Sequence, residues 1–420
     1  MSVRATTLPS GLRIVTDAME GVGTASLAVS VAVGSRNEQL AEHGLSHLIE
    51  HMAFKGTRKR SAVQIVEEIE AAGGDLNAAT ATEHTSYQVR VLPEDVGLAL
   101  EILADILTDS VFDPEELERE KSVILQEIGA VEDTPDDLVF ELFDLAAFPD
   151  QPIGRPILGK PESVSKLSAR EIRAYLDRFY GANAMIVSAA GAVRHDEVAA
   201  CSEKLFAGLP QVAPPPHEPA RYAGGERKSR KSAEQANLVI GFEGVSHLDP
   251  GNYAAHLFCN AVGGGMASRL FQEVREKRGL AYSIYTFNWS FADTGLFGLH
   301  AAASPRDAAE LMKVSLDCLS AALDDLDEAE VSRGRAQMKM SLMTALESSP
   351  ARAEQLARQT EIFGRVLSSA EIVERIDGLT LAEVRAAGRR LLSGVPTLAA
   401  VGPAGRGVTV DRVAERLRTG

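Results

Sequence analysis

Cysteine is scarce in this chain. Its 420 residues include three cysteines, Cys201, Cys259 and Cys318. Their odd number and wide spacing exclude a disulfide framework or a cysteine metal site, and read as buried thiols in a reducing compartment. Long apolar runs are missing too: no stretch approaches the roughly 20 residues of a membrane span. The first fifteen residues have no apolar core of signal-peptide length and run directly into strand-like sequence. Positive charge is in the minority, with 43 Lys and Arg against 59 Asp and Glu and a net charge of −16. That balance argues against a nucleic-acid partner, which needs clustered cations, and favours attraction of a basic peptide. The expectation is a cytoplasmic protein, with an organellar matrix protein after presequence removal as the alternative. The length exceeds one ordinary core and points to two to four domains, while 45% hydrophobic and 24% charged residues are ordinary for a globular chain.

What the chain does hold is His43-Gly-Leu-Ser-His47-Leu-Ile-Glu50-His51. His47 and His51 are four residues apart, one helical turn or about 6 Å of rise, so both imidazoles can reach one metal ion. Glu50 shares that face at i+3. Two imidazoles suit a divalent ion such as zinc, whose hydrolytic sites use three protein ligands and leave a position for water. A carboxylate beside that water can take its proton. The H-x-x-E-H order is the inverzincin signature.

In chain order, residues 12–16 and 25–33 read as strands. The motif helix follows, then a helix over 63–72 with Val63, Ile65, Val66 and Ile69 as an apolar stripe, ended by Gly73-Gly74. Strands are predicted over 76–81 and 85–91 and a helix over 94–108. Asp113-Pro114 opens the next helix, with Asp113 as N-cap, Pro114 at the first position and Glu116 at N3. Leu117, Ile124, Leu125, Ile128 and Val131 supply its buried face. A helix over 135–147, another from Ser168 to near Tyr180 and a strand over 184–190 complete the half.

The stretch 211–231, rich in Pro and then in charge, reads as a linker between domains at 1–210 and 232–420. Beyond it the first half repeats at an offset of about 212 residues. Ser168-Ala-Arg-Glu-Ile-Arg-Ala answers to Thr380-Leu-Ala-Glu-Val-Arg-Ala, and the strands over 185–191 and 26–33 answer to 397–402 and 237–243. At the position of the metal motif the second copy has Cys259 and Gly263 in place of the two histidines. The histidines are therefore not required by the repeated helix itself.

A carboxylate is the usual complement to two imidazoles at a hydrolytic zinc. The helix over 114–131 offers Glu120 and Glu127, seven residues apart and so on one face. With these residues in view, the chain resembles the pitrilysin, insulin-degrading enzyme and mitochondrial processing peptidase superfamily. In that family a glutamate about 76 residues beyond the second histidine is the third ligand, and an acidic residue seven earlier supports the site. Glu127 lies 76 residues after His51, and Glu120 seven before Glu127. The likeness extends through Gly-Gly-Asp-Leu-Asn77-Ala78 and the block from Gly263-Gly264-Gly265 to Tyr282, and the length fits the short, two-domain processing-peptidase branch.

The resemblance implies an α/β, or α+β layered, fold: two homologous domains, each a mostly antiparallel sheet covered by helices, arranged as a clamshell around an unfolded peptide. It implies one zinc per chain on His47, His51 and Glu127, Glu50 as base, and Glu120 orienting a ligand. The alternative for Glu120 is a helix carboxylate paired with Lys121. Asn77 and Ala78 match residues that hold substrate backbone, though Ala79 replaces a frequent aromatic. Asp137 and Glu141 match acidic positions that read an arginine near the cleavage point; Thr134-x-x-Asp137 is also a capping-box pattern. Gly263 to Gly265 match a glycine-rich loop, or simply end a helix. A two-domain chain needs a partner, as a homodimer or with a paralogue. The expected activity is zinc endopeptidase; the rival is a non-proteolytic subunit of a processing-peptidase-like or respiratory-core-like complex.

Overall fold

A computed structural model describes residues 2–215, 218–405 and 407–419. Two mixed sheets organise the chain. Strands β1 (Ser2–Thr7), β2 (Arg13–Ala18), β3 (Ala25–Val31), β4 (Asp75–Thr80), β5 (Thr85–Val91) and β6 (Met185–Gly191) form the first, in the order β1-β2-β6-β3-β5-β4. Only β2 and β6 run parallel; the other neighbours are antiparallel. Strands β7 (Gly225–Ser229), β8 (Ala236–Glu243), β9 (Ala281–Ser290), β10 (Gly295–Ala303) and β11 (Thr397–Val401) form the second, in the order β7-β11-β8-β10-β9. There β7 and β11 are the parallel pair. The α+β layered class expected from the sequence is the observed one.

Helices cover both faces of each sheet, which is why β3 and β6 are buried along their whole length and read as continuous Val, Ala, Ile and Ser. In the first half the helices are α1 (Leu45–Ala53), α2 (Ala62–Ala71), α3 (Val96–Thr108), α4 (Pro114–Asp133) and α5 (Pro135–Ala147). The stripe expected on α2 is half realised. Ile65 and Ile69, one turn apart, are buried, but Val63 and Val66 are 62% and 46% exposed because they turn away from that line.

Two compact units emerge: Met1–Gly129 with Arg155–Glu218 and Thr344–Leu367, and Ala130–Gly154 with Pro219–Met343 and Ser368–Gly420. Each unit takes one helix from the far side of residues 211–231. Helix α5 lies on the second sheet, its Val139, Phe143 and Ala147 packed with Val239, Ala399 and Val401. The helix Ser349–Phe363 lies on the first, with Ala353, Leu356 and Ala357 against Val15, Ile186 and Ala190. A buried ion pair, Arg352 Nε to Asp17 Oδ2 at 2.7 Å, fixes that helix on β2. The linker expectation needs correction as well. Pro216 and His217 lie outside the described residues, and 225–229 is strand β7, whose exposed charges suit the edge position it takes.

Candidate metal site

Helix α1 turns Leu45, Leu48, Ile49 and Met52 into the core of the first unit. That leaves His47, Glu50 and His51 on its other side, as the i, i+3, i+4 spacing requires. Helix α4 begins as expected: Asp113 Oδ1 accepts N–H bonds from Glu115 and Glu116 at 2.9 and 3.1 Å. Leu117, Ile124 and Ile128 are its buried line, while Glu120 and Glu127, two turns apart, face α1.

Among the described residues, His47, His51 and Glu127 form a cluster of potential metal donors, with one atom from each within 4.8 Å of the others. Glu127 Oε2 stands 3.8 Å from His47 Nε2 and 3.6 Å from His51 Nε2. A tetrahedral ion bound at about 2.0–2.1 Å holds its ligand atoms roughly 3.4 Å apart, so the donor set fits zinc after small side-chain shifts. Burial, and then the neighbouring His51, push His47 down to about 4. Its ring is therefore neutral at pH 7 with a lone pair to offer.

The other nitrogen of His51 is taken. Its Nδ1–H donates to Glu120 Oε2 at 2.9 Å, which fixes the tautomer and leaves Nε2 facing Glu127. Glu120 is not partnered by Lys121, whose ammonium goes to Glu118 at 2.8 Å. Its cation is Lys55, at 2.6 Å from Oε1, a residue sequence reasoning passed over although it lies one turn beyond His51. Burial pushes the Glu120 carboxyl up, but the hydrogen bonds from Lys55 and His51 outweigh it and hold the group below its ordinary value. Glu50 Oε2 and His47 Nδ1 are buried without a hydrogen-bond partner.

Asn77 and Ala78 lie on β4, an edge strand paired only with β5. Asn77 is exposed, and its Oδ1 accepts the Ala78 N–H at 2.9 Å. Strand β4 packs beside α1, where the Thr80 hydroxyl reaches Ser46 O at 3.5 Å. Asp137 and Glu141 belong to the other compact unit, one turn apart on α5. The capping box read from Thr134 and Asp137 does not form: the Thr134 hydroxyl donates back to Ala130 O at 2.8 Å. Burial, then Glu132 and Asp137, push the Glu141 carboxyl up to about 7.

Among the described residues the second unit gathers no such cluster of donors. Gly263 and Gly264 end the helix Asn252–Gly263 without a left-handed residue. Gly263 is needed for contact instead, since a Cβ there would meet Thr286 Oγ1 at 2.5 Å. Thr286 in turn donates to Cys259 O at 2.8 Å, and burial pushes the Cys259 thiol up to about 12.

Fold and side chains together define a class: a chain of two layered units, one of which gathers two imidazoles and a carboxylate in the manner of a hydrolytic metal centre. The family model described as Insulinase (Peptidase family M16) matches residues 13–161, and that described as Peptidase M16 inactive domain matches residues 166–338. The chain belongs to peptidase family M16. A Streptomyces coelicolor protein named an uncharacterized zinc protease is 38% identical over 412 residues, 96% of this chain and 90% of its own. The probable mitochondrial-processing peptidase subunit beta of Arabidopsis thaliana is 36% identical over 419 residues, 95% of this chain and 78% of its own. Among solved structures, a chain of Complex III2 from Candida albicans has a TM-score of 0.89 at 22% identity, covering 99% of this chain and all of that one. That last likeness shows the fold alone.

Proposed function

We propose that the chain is a zinc-dependent endopeptidase that cleaves short or unfolded polypeptides and prefers basic residues near the scissile bond. The observation that carries this reading is the convergence of His47, His51 and Glu127, with Glu50 on the same helical face. The cofactor is zinc, held by those three side chains. When bound, it supplies Lewis acidity, which lowers the proton affinity of a water and polarises a carbonyl. Glu50 takes the proton of the attacking water and returns it to the leaving amine. Glu120 and Lys55 keep the His51 ring in orientation.

Lys55→Met is accordingly expected to weaken zinc binding about tenfold, read by chelator competition. Unchanged affinity would remove Lys55 from the site.

A substrate would add as a strand along β4, with Asn77 and Ala78 holding its backbone, and Asp137 and Glu141 would take a guanidinium between them. A second copy of the chain, or a paralogue, is the proposed partner. The rival reading, a subunit without proteolytic activity, shares the fold with the Complex III2 chain. A peptidase needs more than the fold, and this chain retains His47, Glu50, His51, Glu120 and Glu127 together.

The testing experiment compares two fluorogenic peptides that differ only in one arginine, with and without a chelator. Cleavage is expected to be chelator-sensitive and faster on the arginine peptide. Asp137→Asn with Glu141→Gln should reduce that preference by about tenfold or more, the worth of a charge-assisted pair. Because the folded Glu141 holds its proton up to about pH 7 against 4.5 ordinarily, ionising it takes stability away as pH rises through that window, and a bound guanidinium offsets the loss. KM for the arginine peptide should therefore fall between pH 6 and 8 while KM for the neutral one stays level. Equal losses on both peptides in the double variant would assign the two carboxylates to the fold.

A further inference from the structure

The helix that carries His47, Glu50 and His51 starts without a cap of its own. Gly44 precedes it in the left-handed region, at φ 93°, and has no side chain to accept the first N–H groups of α1. A capping Ser or Asp is barred there, since a Cβ on Gly44 would meet Leu158 O at 2.8 Å and Gly159 Cα at 3.0 Å. The acceptor comes from upstream. Glu38 Oε2 takes the Gly44 N–H at 2.8 Å, and Oε1 takes the Ser46 N–H at 2.7 Å.

Glu38 is 2% exposed, and both its oxygens are engaged by backbone N–H groups of the helix start. Burial pushes its carboxyl up to about 8, more than the Ser46 and Gly44 N–H and the Ser46 hydroxyl pull it down. Arg155 donates to Glu38 O at 3.2 Å and so anchors the residue's own backbone. Ser46 is held a second time through its hydroxyl, 2.9 Å from that of Tyr175. The next residue is His47.

We propose that Glu38 is a positioning residue for the metal site: its carboxyl fixes the direction of the first turn of α1 and, with it, the approach of His47 Nε2 to Glu127. The proposal rests on the zinc-peptidase reading. Helix α1 has only nine residues, so a small tilt at its start moves His47 by a sizeable part of the distances that bring the three donors together. Tolerances at such sites are about 0.5 Å.

The test uses the full chain with Glu38→Gln, which turns an amide NH2 toward one of the donors, and Glu38→Asp, which keeps the carboxyl but is a methylene too short to reach both. Zinc affinity by chelator competition, kcat and KM on the arginine peptide, and the thermal midpoint are measured together. In Glu38→Gln, zinc affinity and kcat at saturating zinc should each fall about tenfold or more, KM should stay within about twofold, and Glu38→Asp should lie between it and the wild type. A lowered thermal midpoint with wild-type zinc affinity and kcat overturns the proposal, leaving a cap without a role in the site. Failure of both variants to fold overturns it too, by making the carboxyl a requirement of the fold. A wild type that binds zinc and cuts nothing strikes the peptidase reading instead, and the affinity measurement still decides on Glu38.

Discussion

Glu50→Gln is expected to lower kcat/KM by about 10³-fold while zinc stays bound at the wild-type ratio. Glutamine matches glutamate in volume but cannot accept the proton of the attacking water. The substitution should be quiet structurally, because Glu50 Oε2 makes no hydrogen bond in the folded chain, so no cap or ion pair is lost with it. Initial rates on the arginine peptide, with metal content measured on the same samples, check the outcome. Cleavage at the wild-type rate would deny Glu50 the base role. Loss of the metal together with activity would make it a ligand, and the donor set would need revision.

The second large effect is expected from Glu127→Gln. Two imidazoles remain, but the anionic donor that stands 3.6 and 3.8 Å from their Nε2 atoms is replaced by a neutral amide. Zinc affinity should fall by more than the roughly 10–100-fold of a change outside the coordinating set, and activity should fall with it at limiting zinc. Glu120→Gln supplies the comparison, since its carboxylate meets His51 Nδ1 and Lys55. Its loss should stay within that range. Chelator competition ranks the two variants, and a weaker binder in Glu120→Gln than in Glu127→Gln would reverse the assignment.

The parts of this arrangement governed by local rules could be read from the sequence. His47, Glu50 and His51 share a face because the i, i+3, i+4 spacing leaves no choice once a helix forms, and Asp113-Pro114 starts α4 by its own chemistry. Strand β5 and helix α5 fall on their expected bounds. Contacts between distant segments could not be read in that way. Spacing offered both Glu120 and Glu127 as ligands, and a family resemblance was needed to choose between them. Lys55 and Glu38 are ordinary charged residues in the sequence, and their partners depend on how α4 and the 35–44 segment pack on α1. The helical pattern of Ser349–Phe363 likewise carries no mark of the sheet it covers. Its Arg352 finds Asp17 across 335 positions. Strand β7 looked like linker because an edge strand keeps its charges.

X-ray absorption at the zinc edge, on the chain purified without added chelator, tests the central claim most directly. The account predicts one zinc per chain with two imidazole nitrogens and carboxylate oxygen in its shell, and an altered, oxygen-poorer shell in Glu127→Gln. A shell containing sulfur, or one with fewer than two imidazoles, would contradict it.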